Sequence, residues 1–303
     1  MARIELPQRG LHLEYESHGD SERPTVILIM GLGLQLVAWP PALIDAIVAA
    51  GYRVIVFDNR DIGLSSAGPM PHYTSPPLAL AAHLLHQVFT PPYRIADMAA
   101  DTLALADALG IERFDVVGIS LGGMVGQAMA ARWPARVRNL VLMMSSAGPR
   151  TAPWPTPAVL WRFLQPPPRG ALPERKLDHF VGLLQVLGNI HDDAELERLR
   201  ERLARALQRA YNPAGAARQL MAVLADPDRS EEVARIRCPT LIIHGADDPL
   251  VPLAAAHHLK KLLPQARLEI IEGLGHYLPA AKLAQIAQLT IDHIRADHIR
   301  ADR

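Results

Sequence analysis

The chain has 303 residues, 50% of them hydrophobic, with 31 Lys and Arg balanced by 31 Asp and Glu. That balance supplies no basic face for nucleic acid or for an anionic membrane surface. The single cysteine, Cys238, excludes an intramolecular disulfide and fits a reducing compartment, so a cytoplasmic location is expected.

In chain order, Met1 to Leu13 carries charges throughout and lacks the apolar segment of a signal peptide. No later run is long enough to span a membrane. Short apolar runs predict strands at Leu11–Tyr15, Thr25–Met30, Arg53–Phe57, Phe114–Ile119, Arg138–Met144, Thr240–His244 and Arg267–Ile271. Helical patterns fall between them at Pro41–Ala50, Asp97–Leu109, Gly122–Trp133, Ala254–Leu263 and Leu283–Arg295. Continuous apolar strands alternating with helices predict an α/β fold with a mostly parallel sheet covered on both faces. The more polar, alternating first strands are expected at an antiparallel edge.

Two stretches break the alternation. Ser65 to Arg94 is long for a connection and contains an apolar helix-like run, Leu78–Val88, which either lines a pocket mouth or packs on a neighbour. The second stretch, Gly148 to about Arg235, has eight prolines between Pro149 and Pro173, then three helical patterns. In the clearest, Ala194–Ala210, Leu196, Leu199, Leu203 and Leu207 form one stripe. Glu201 and Arg205 on its other face are spaced to pair across a solvated surface. The duplicated tail, His293–Asp297 and His298–Asp302, is expected to extend or fray the last helix.

Gly118-Ile119-Ser120-Leu121-Gly122 lies at a strand-to-helix junction. Glycines two before and two after the serine let the backbone turn sharply there. The hydroxyl then stands exposed beside helix N-terminal N–H groups, which favour developing negative charge. A serine hydroxyl is a weak nucleophile, so it needs a base, and the base needs an orienting acid. Candidates follow the next strands: Gly245-Ala246-Asp247-Asp248-Pro249-Leu250-Val251-Pro252, then Glu272-Gly273-Leu274-Gly275-His276. Both lie just past strand C-termini, the edge where open α/β sheets bind ligands.

The order Ser, Asp, His, together with the strand ending Met30-Gly31-Leu32-Gly33 and the Asp58-Asn59-Arg60-Asp61-Ile62-Gly63-Leu64-Ser65 turn, resembles the α/β-hydrolase fold superfamily of serine esterases, lipases and lactonases. The resemblance implies a core of residues 1–147 and 236–303 and a helical cap at 148–235. It also implies Ser120 as nucleophile, His276 as general base, and Asp248, three residues after Gly245 and four before Pro252, as the acid. The backbone N–H groups of Leu32 and Leu121 would be the oxyanion donors. The substrate would be a small or medium carboxylic ester, with lactones, thioesters or slow ligand sensing as alternatives. Met30 replaces the usual histidine before Gly31, which puts the stiffness of the oxyanion loop in question, and Asp61 replaces a glycine. Both variants resemble the subgroup that includes aclacinomycin methylesterase.

Rival motifs fail. Gly31-Leu32-Gly33 leads to Leu36 where a dinucleotide site needs its third glycine. His83 with His86, and His257 with His258, lack the further ligands of a zinc site and are expected at the surface. No metal or cofactor is expected. His244 is expected as a core or supporting group, Asp247 as a solvated turn residue, and Cys238 as core.

Overall fold

The computed structural model describes residues 1–70, 72–85, 87–148, 155–165 and 172–301. Eight strands form one sheet: β1 (Ala2–Leu6), β2 (Leu11–His18), β3 (Thr25–Ile29), β4 (Arg53–Phe57), β5 (Phe114–Ile119), β6 (Val137–Met143), β7 (Thr240–Gly245) and β8 (Arg267–Ile271). Their order is β1-β2-β4-β3-β5-β6-β7-β8. β1 and β2 form the antiparallel edge, and every pair from β4 onward is parallel.

The helices are α1 (Pro41–Ala49), α2 (Pro76–Leu84), α3 (Ile95–Ala108), α4 (Leu121–Arg132), α5 (Pro157–Leu164), α6 (Pro173–Gly188), α7 (Asp193–Arg209), α8 (Pro213–Leu224), α9 (Ser230–Val233), α10 (Ala254–Leu262) and α11 (Ala280–Ala301). Strand alternation builds two apolar layers. Ile27, Ile29, Val116, Leu140, Leu142 and Ile242 face a core shared with α3, α4 and α10. Val26, Leu28, Val117, Val141, Met143 and Ile243 face one shared with α1 and α11. Burying each such side chain contributes about 1.5–3 kcal/mol before the entropic cost of ordering.

Registers align the strand ends. Ile29 pairs with Gly118, Ile119 with Met143, Met143 with Ile243, and Gly245 with Ile271. The loops carrying Leu32, Ser120, Asp248 and His276 therefore leave one edge of the sheet.

Between β6 and β7, α5 to α8 form a helical insert with its own small apolar cluster: Val181, Ile190, Leu199 and Leu203. Its two stems touch, for the Arg229 N–H donates to the Ala147 carbonyl. Both are pinned to α4. Arg229 donates to the Met124 carbonyl and Gln127 Oε1, while Gln127 donates to the Ser146 carbonyl. The proline-rich run hides one more helix than expected, α5, which starts at Pro157, where a missing N–H costs nothing. Part of that run, Pro149 to Trp154 and Pro166 to Ala171, lies outside the described residues.

Several smaller expectations change. α2 stops at Leu84 and packs on α8, with Ala79 and Phe89 against Met221. His83 is buried there, its Nδ1 2.9 Å from the Leu224 carbonyl, not at the surface; His86 lies outside the described residues. Cys238 is half-buried at the rim of the core. Glu201 and Arg205 do not pair among the described residues; within α7 the ion pairs are those of Arg198 and Arg202 with Glu195. The backbone of α11 runs on to Ala301, and the tail's last two residues lie outside the described residues.

Candidate active site

Ser120 ends β5 with φ +53° and ψ −117°, a conformation costing about 1–3 kcal/mol for a residue with a side chain. Packing holds it there. Its N–H donates to the Met143 carbonyl at 2.8 Å, and its carbonyl accepts from Ser145 Oγ and from the Gly123 and Met124 N–H groups. A Cβ on Gly118 would collide with the Gly122 carbonyl, and one on Gly122 with the Ile29 carbonyl, so this turn admits only glycine at both positions.

Leu121 is the first residue of α4, and its N–H, like that of Leu32, has no acceptor among the described residues. The residues that precede them are in contact. A Cβ built on Gly31 falls 3.5 Å from Ser120 Cβ, in ordinary contact.

Asp248 and His276 meet across the ends of β7 and β8, with Nδ1 and Oδ2 2.7 Å apart. The other carboxylate oxygen, Oδ1, accepts from the Leu250 and Val251 N–H groups at 2.9 and 2.8 Å. Asp248 is buried, whereas Asp247 is exposed, which separates the two neighbouring acids. His244 is fully buried behind them, its Nε2 2.8 Å from the Val251 carbonyl. Burial lowers its pKa and keeps it neutral, in spite of Asp248 nearby. Ser120 Oγ makes no hydrogen bond among the described residues; such contacts commonly tighten only once substrate is bound.

Residues that sequence reasoning missed brace the oxyanion loop from a distance. Gln219 on α8 is buried, accepts from the Gly33 N–H at 2.9 Å and donates to the Arg60 carbonyl at 3.1 Å. Asn59 donates to the Met30 carbonyl, and Asp58 accepts from the Leu36 and Leu64 N–H groups and from Arg209 of α7. With Met30 in place of the usual histidine, this bracing comes from the insert and from the 58–65 turn. Burial raises the pKa of Asp58, and those donors and Arg209 offset the rise.

Asp61, at φ +72°, forms a bidentate pair with Arg218 of α8 at 2.6 and 2.7 Å and accepts from Tyr93. Asn212 donates to the Asp61 carbonyl. The carboxylate that replaces a glycine is thus a docking point for the insert. No local pattern signals the contacts with Arg218 and Asn212, because those partners lie more than a hundred residues away.

A family model for the alpha/beta hydrolase fold matches residues 24–280. The chain belongs to the α/β-hydrolase fold family. Within that family it is 30% identical over 302 residues to rhodomycin D methylesterase of Streptomyces peucetius, covering 93% of this chain and 94% of the relative. It is 28% identical over 271 residues to 3-oxoadipate enol-lactonase 2 of Acinetobacter baylyi, covering 88% of each. The enol-lactonase of Burkholderia xenovorans LB400 superposes with a TM-score of 0.72 at 22% identity, over 94% of this chain and 97% of that one, a likeness of fold. The expected methylesterase-subgroup likeness is therefore met. Among the described residues, no cluster of His, Cys, Asp and Glu can hold a metal ion, and no helix is long and apolar enough to cross a membrane.

Proposed function

We propose that this α/β hydrolase cleaves small to medium carboxylic esters through an acyl-serine intermediate, with Ser120 as nucleophile, His276 as general base and then acid, and Asp248 as the orienting carboxylate. The observation that carries the reading is the Asp248–His276 pair. Two backbone N–H groups hold one carboxylate oxygen, and the other is aimed at the imidazole, while Ser120 stands on a constrained turn at the same edge of the sheet.

In the first half-reaction, Ser120 Oγ attacks the ester carbonyl carbon and its proton passes to His276 Nε2. Negative charge on the former carbonyl oxygen is met by the Leu32 and Leu121 N–H groups. Collapse expels the alcohol, which takes the proton from His276 and leaves an acyl-serine. Water then attacks, protonates His276, and the carboxylic acid departs as Ser120 regains its proton. Asp248 stays ionised throughout and stabilises the imidazolium.

Residues 148–235 act as a cap over this edge and shape the pocket. Balanced charge and the lone cysteine support a cytoplasmic enzyme without a nucleic-acid partner. The similarity to an enol-lactonase favours lactones as the second substrate class.

A panel of p-nitrophenyl esters, methyl esters and enol-lactones tests the class, and a fluorophosphonate probe tests the nucleophile. Multiple turnover of at least one ester and stoichiometric labelling lost in Ser120→Ala are expected. Labelling followed by one burst without steady turnover indicates a ligand-sensing receptor, and no turnover of any ester or lactone overturns the assignment.

A further inference from the structure

The loop that carries His276 runs from the end of β8 to the start of α11, and its two halves are held by different parts of the molecule. Up to Leu274 it belongs to the sheet. Leu274 is fully buried in the core, and its carbonyl accepts from the Asp247 N–H at 3.1 Å. From His276 onward the loop is fastened to the insert. The His276 N–H donates to the Leu187 carbonyl of α6 at 2.7 Å. Tyr277 packs into the apolar cluster of the insert, and its hydroxyl donates to Glu195 Oε1 of α7 at 2.9 Å. The Ala280 N–H, at the start of α11, donates to Glu195 Oε2 at 3.1 Å. A Cβ on Gly188 would lie 2.8 Å from Tyr277 Cβ, and one on Gly275 2.6 Å from Gly188, so the two backbones meet where neither tolerates a side chain.

Glu195 is the junction of these contacts. It is 5% exposed, Arg198 donates to it at 2.8 Å and Arg202 at 3.4 Å, and the Arg202 guanidinium stands 5.2 Å over the Tyr277 ring. A buried ion-pair cluster is a poor route to stability, since well-packed apolar groups of similar volume commonly serve as well or better. What this cluster supplies is direction. One carboxylate fixes a phenol, a helix N-terminus and two guanidinium groups, and its charge suits the positive end of the α11 dipole.

We propose that Glu195 is a positioning residue for the reaction: through Tyr277 and the Ala280 N–H it seats the His276 loop on the cap, so that the orientation of the base follows the position of α6 and α7. The proposal rests on the reading of His276 as the base. Its consequence is that the cap does more than enclose substrate. A ligand that shifts α6 or α7 moves the imidazole, and misplacing a reacting group by about 1 Å costs about a hundredfold in rate. Discrimination among substrates of different bulk is then expressed in kcat as well as KM.

The test compares wild type, Glu195→Gln and Tyr277→Phe. Tyr277→Phe keeps the ring in its apolar cluster and loses only the hydroxyl, so it stands in if Glu195→Gln does not fold. Active sites are counted with a fluorophosphonate, turnover is expressed per labelled site, and the low-field proton resonance of the His276–Asp248 hydrogen bond is recorded. The expected result is a fall in kcat per labelled site of about tenfold for Glu195→Gln and less for Tyr277→Phe, with KM within about twofold and the resonance displaced or broadened. The double variant should be no slower than Glu195→Gln alone.

A lowered melting temperature with unchanged kcat per site and an unchanged resonance overturns the proposal and leaves Glu195 a purely structural group. Failure of the wild type to label at Ser120 or to turn over any substrate overturns the esterase reading instead. In that case the resonance alone decides whether Glu195 orients His276.

Discussion

β3, β5, β7 and β8 bring their loops to the site through ladder register and two buried apolar layers, so each chemical group lies a fixed number of residues past a strand end. The helical insert reaches the same place by other means. Its apolar cluster is small, and it docks on the sheet through Arg209 to Asp58, Arg218 to Asp61, Gln219 to the Gly33 N–H and Gln35 to the carbonyls of Ala206 and Ala210. Apolar burial is non-directional and degrades gradually as atoms are removed. Paired buried charge is directional and fails abruptly when one partner goes. The apolar layers in the floor of the site therefore tolerate small losses, while its roof hangs on a few contacts.

The largest effects should come from the floor's chemistry, without loss of fold. Ser120→Ala should lower kcat at least a thousandfold while circular dichroism and the melting temperature stay near wild type. Removing Ser120 also relieves no packing, so unfolding on this substitution would contradict the separation drawn here. Next, Asp248→Asn should cost on the order of ten-thousandfold in kcat, because the amide cannot hold the required His276 tautomer, while Asp247→Asn stays within about threefold. The reverse pattern would move the acid to Asp247.

The roof should respond in stability first. Arg218→Met leaves the Asp61 carboxylate buried with Tyr93 as its remaining side-chain donor besides the distant Asn212 amide, and should cost about 3–5 kcal/mol in urea unfolding. Adding Asp61→Gly should restore most of it, since glycine also accepts φ +72° without strain. If the double variant is no better than Arg218→Met, the pair is not the docking contact described.

The smallest effect concerns Asp226, at the second stem. Burial pushes its pKa up to about 6, against the opposing charge of Arg229. Because the folded value lies above the unfolded one, the native state favours the proton. The contribution of this group to stability is then complete below about pH 4 and is lost as pH rises through about 6. Asp226→Asn should flatten that slope by on the order of 1 kcal/mol, read from unfolding curves at a series of pH values.

The sheet was legible because its inner strands, from β3 to β7, are mostly apolar runs that tertiary structure had no reason to override, and because β2 alternates as an edge strand does. β1 was missed, since Ala2–Leu6 is an edge strand with Arg3 and Glu5 in a five-residue run and only Leu6 deeply buried. The candidate triad of Ser120, Asp248 and His276 was legible because each lies a short, fixed step past a strand. Asp248 could be told from Asp247 only through spacing to Gly245 and Pro252, and burial separates them in the same direction. Gln219, Arg209, Arg218 and Glu195 could not be found, because a helix face that docks by polar contact reads locally as a solvated one. Asp61 was noticed as an oddity, but its partner on α8 was beyond the reach of any local pattern.

The hydrogen bond between the Arg229 N–H and the Ala147 carbonyl closes the insert at its base, as a knot closes a balloon. For the sheet, the chain that leaves at Ala147, soon after the end of β6, is back at the same place by Arg229. The entropy of closing such a loop grows only with the logarithm of its length, about 0.6 kcal/mol per doubling. An insert of different length can therefore close between the same two stems at little entropic cost, provided that it still supplies the contacts made by Gln219, Arg218 and Glu195.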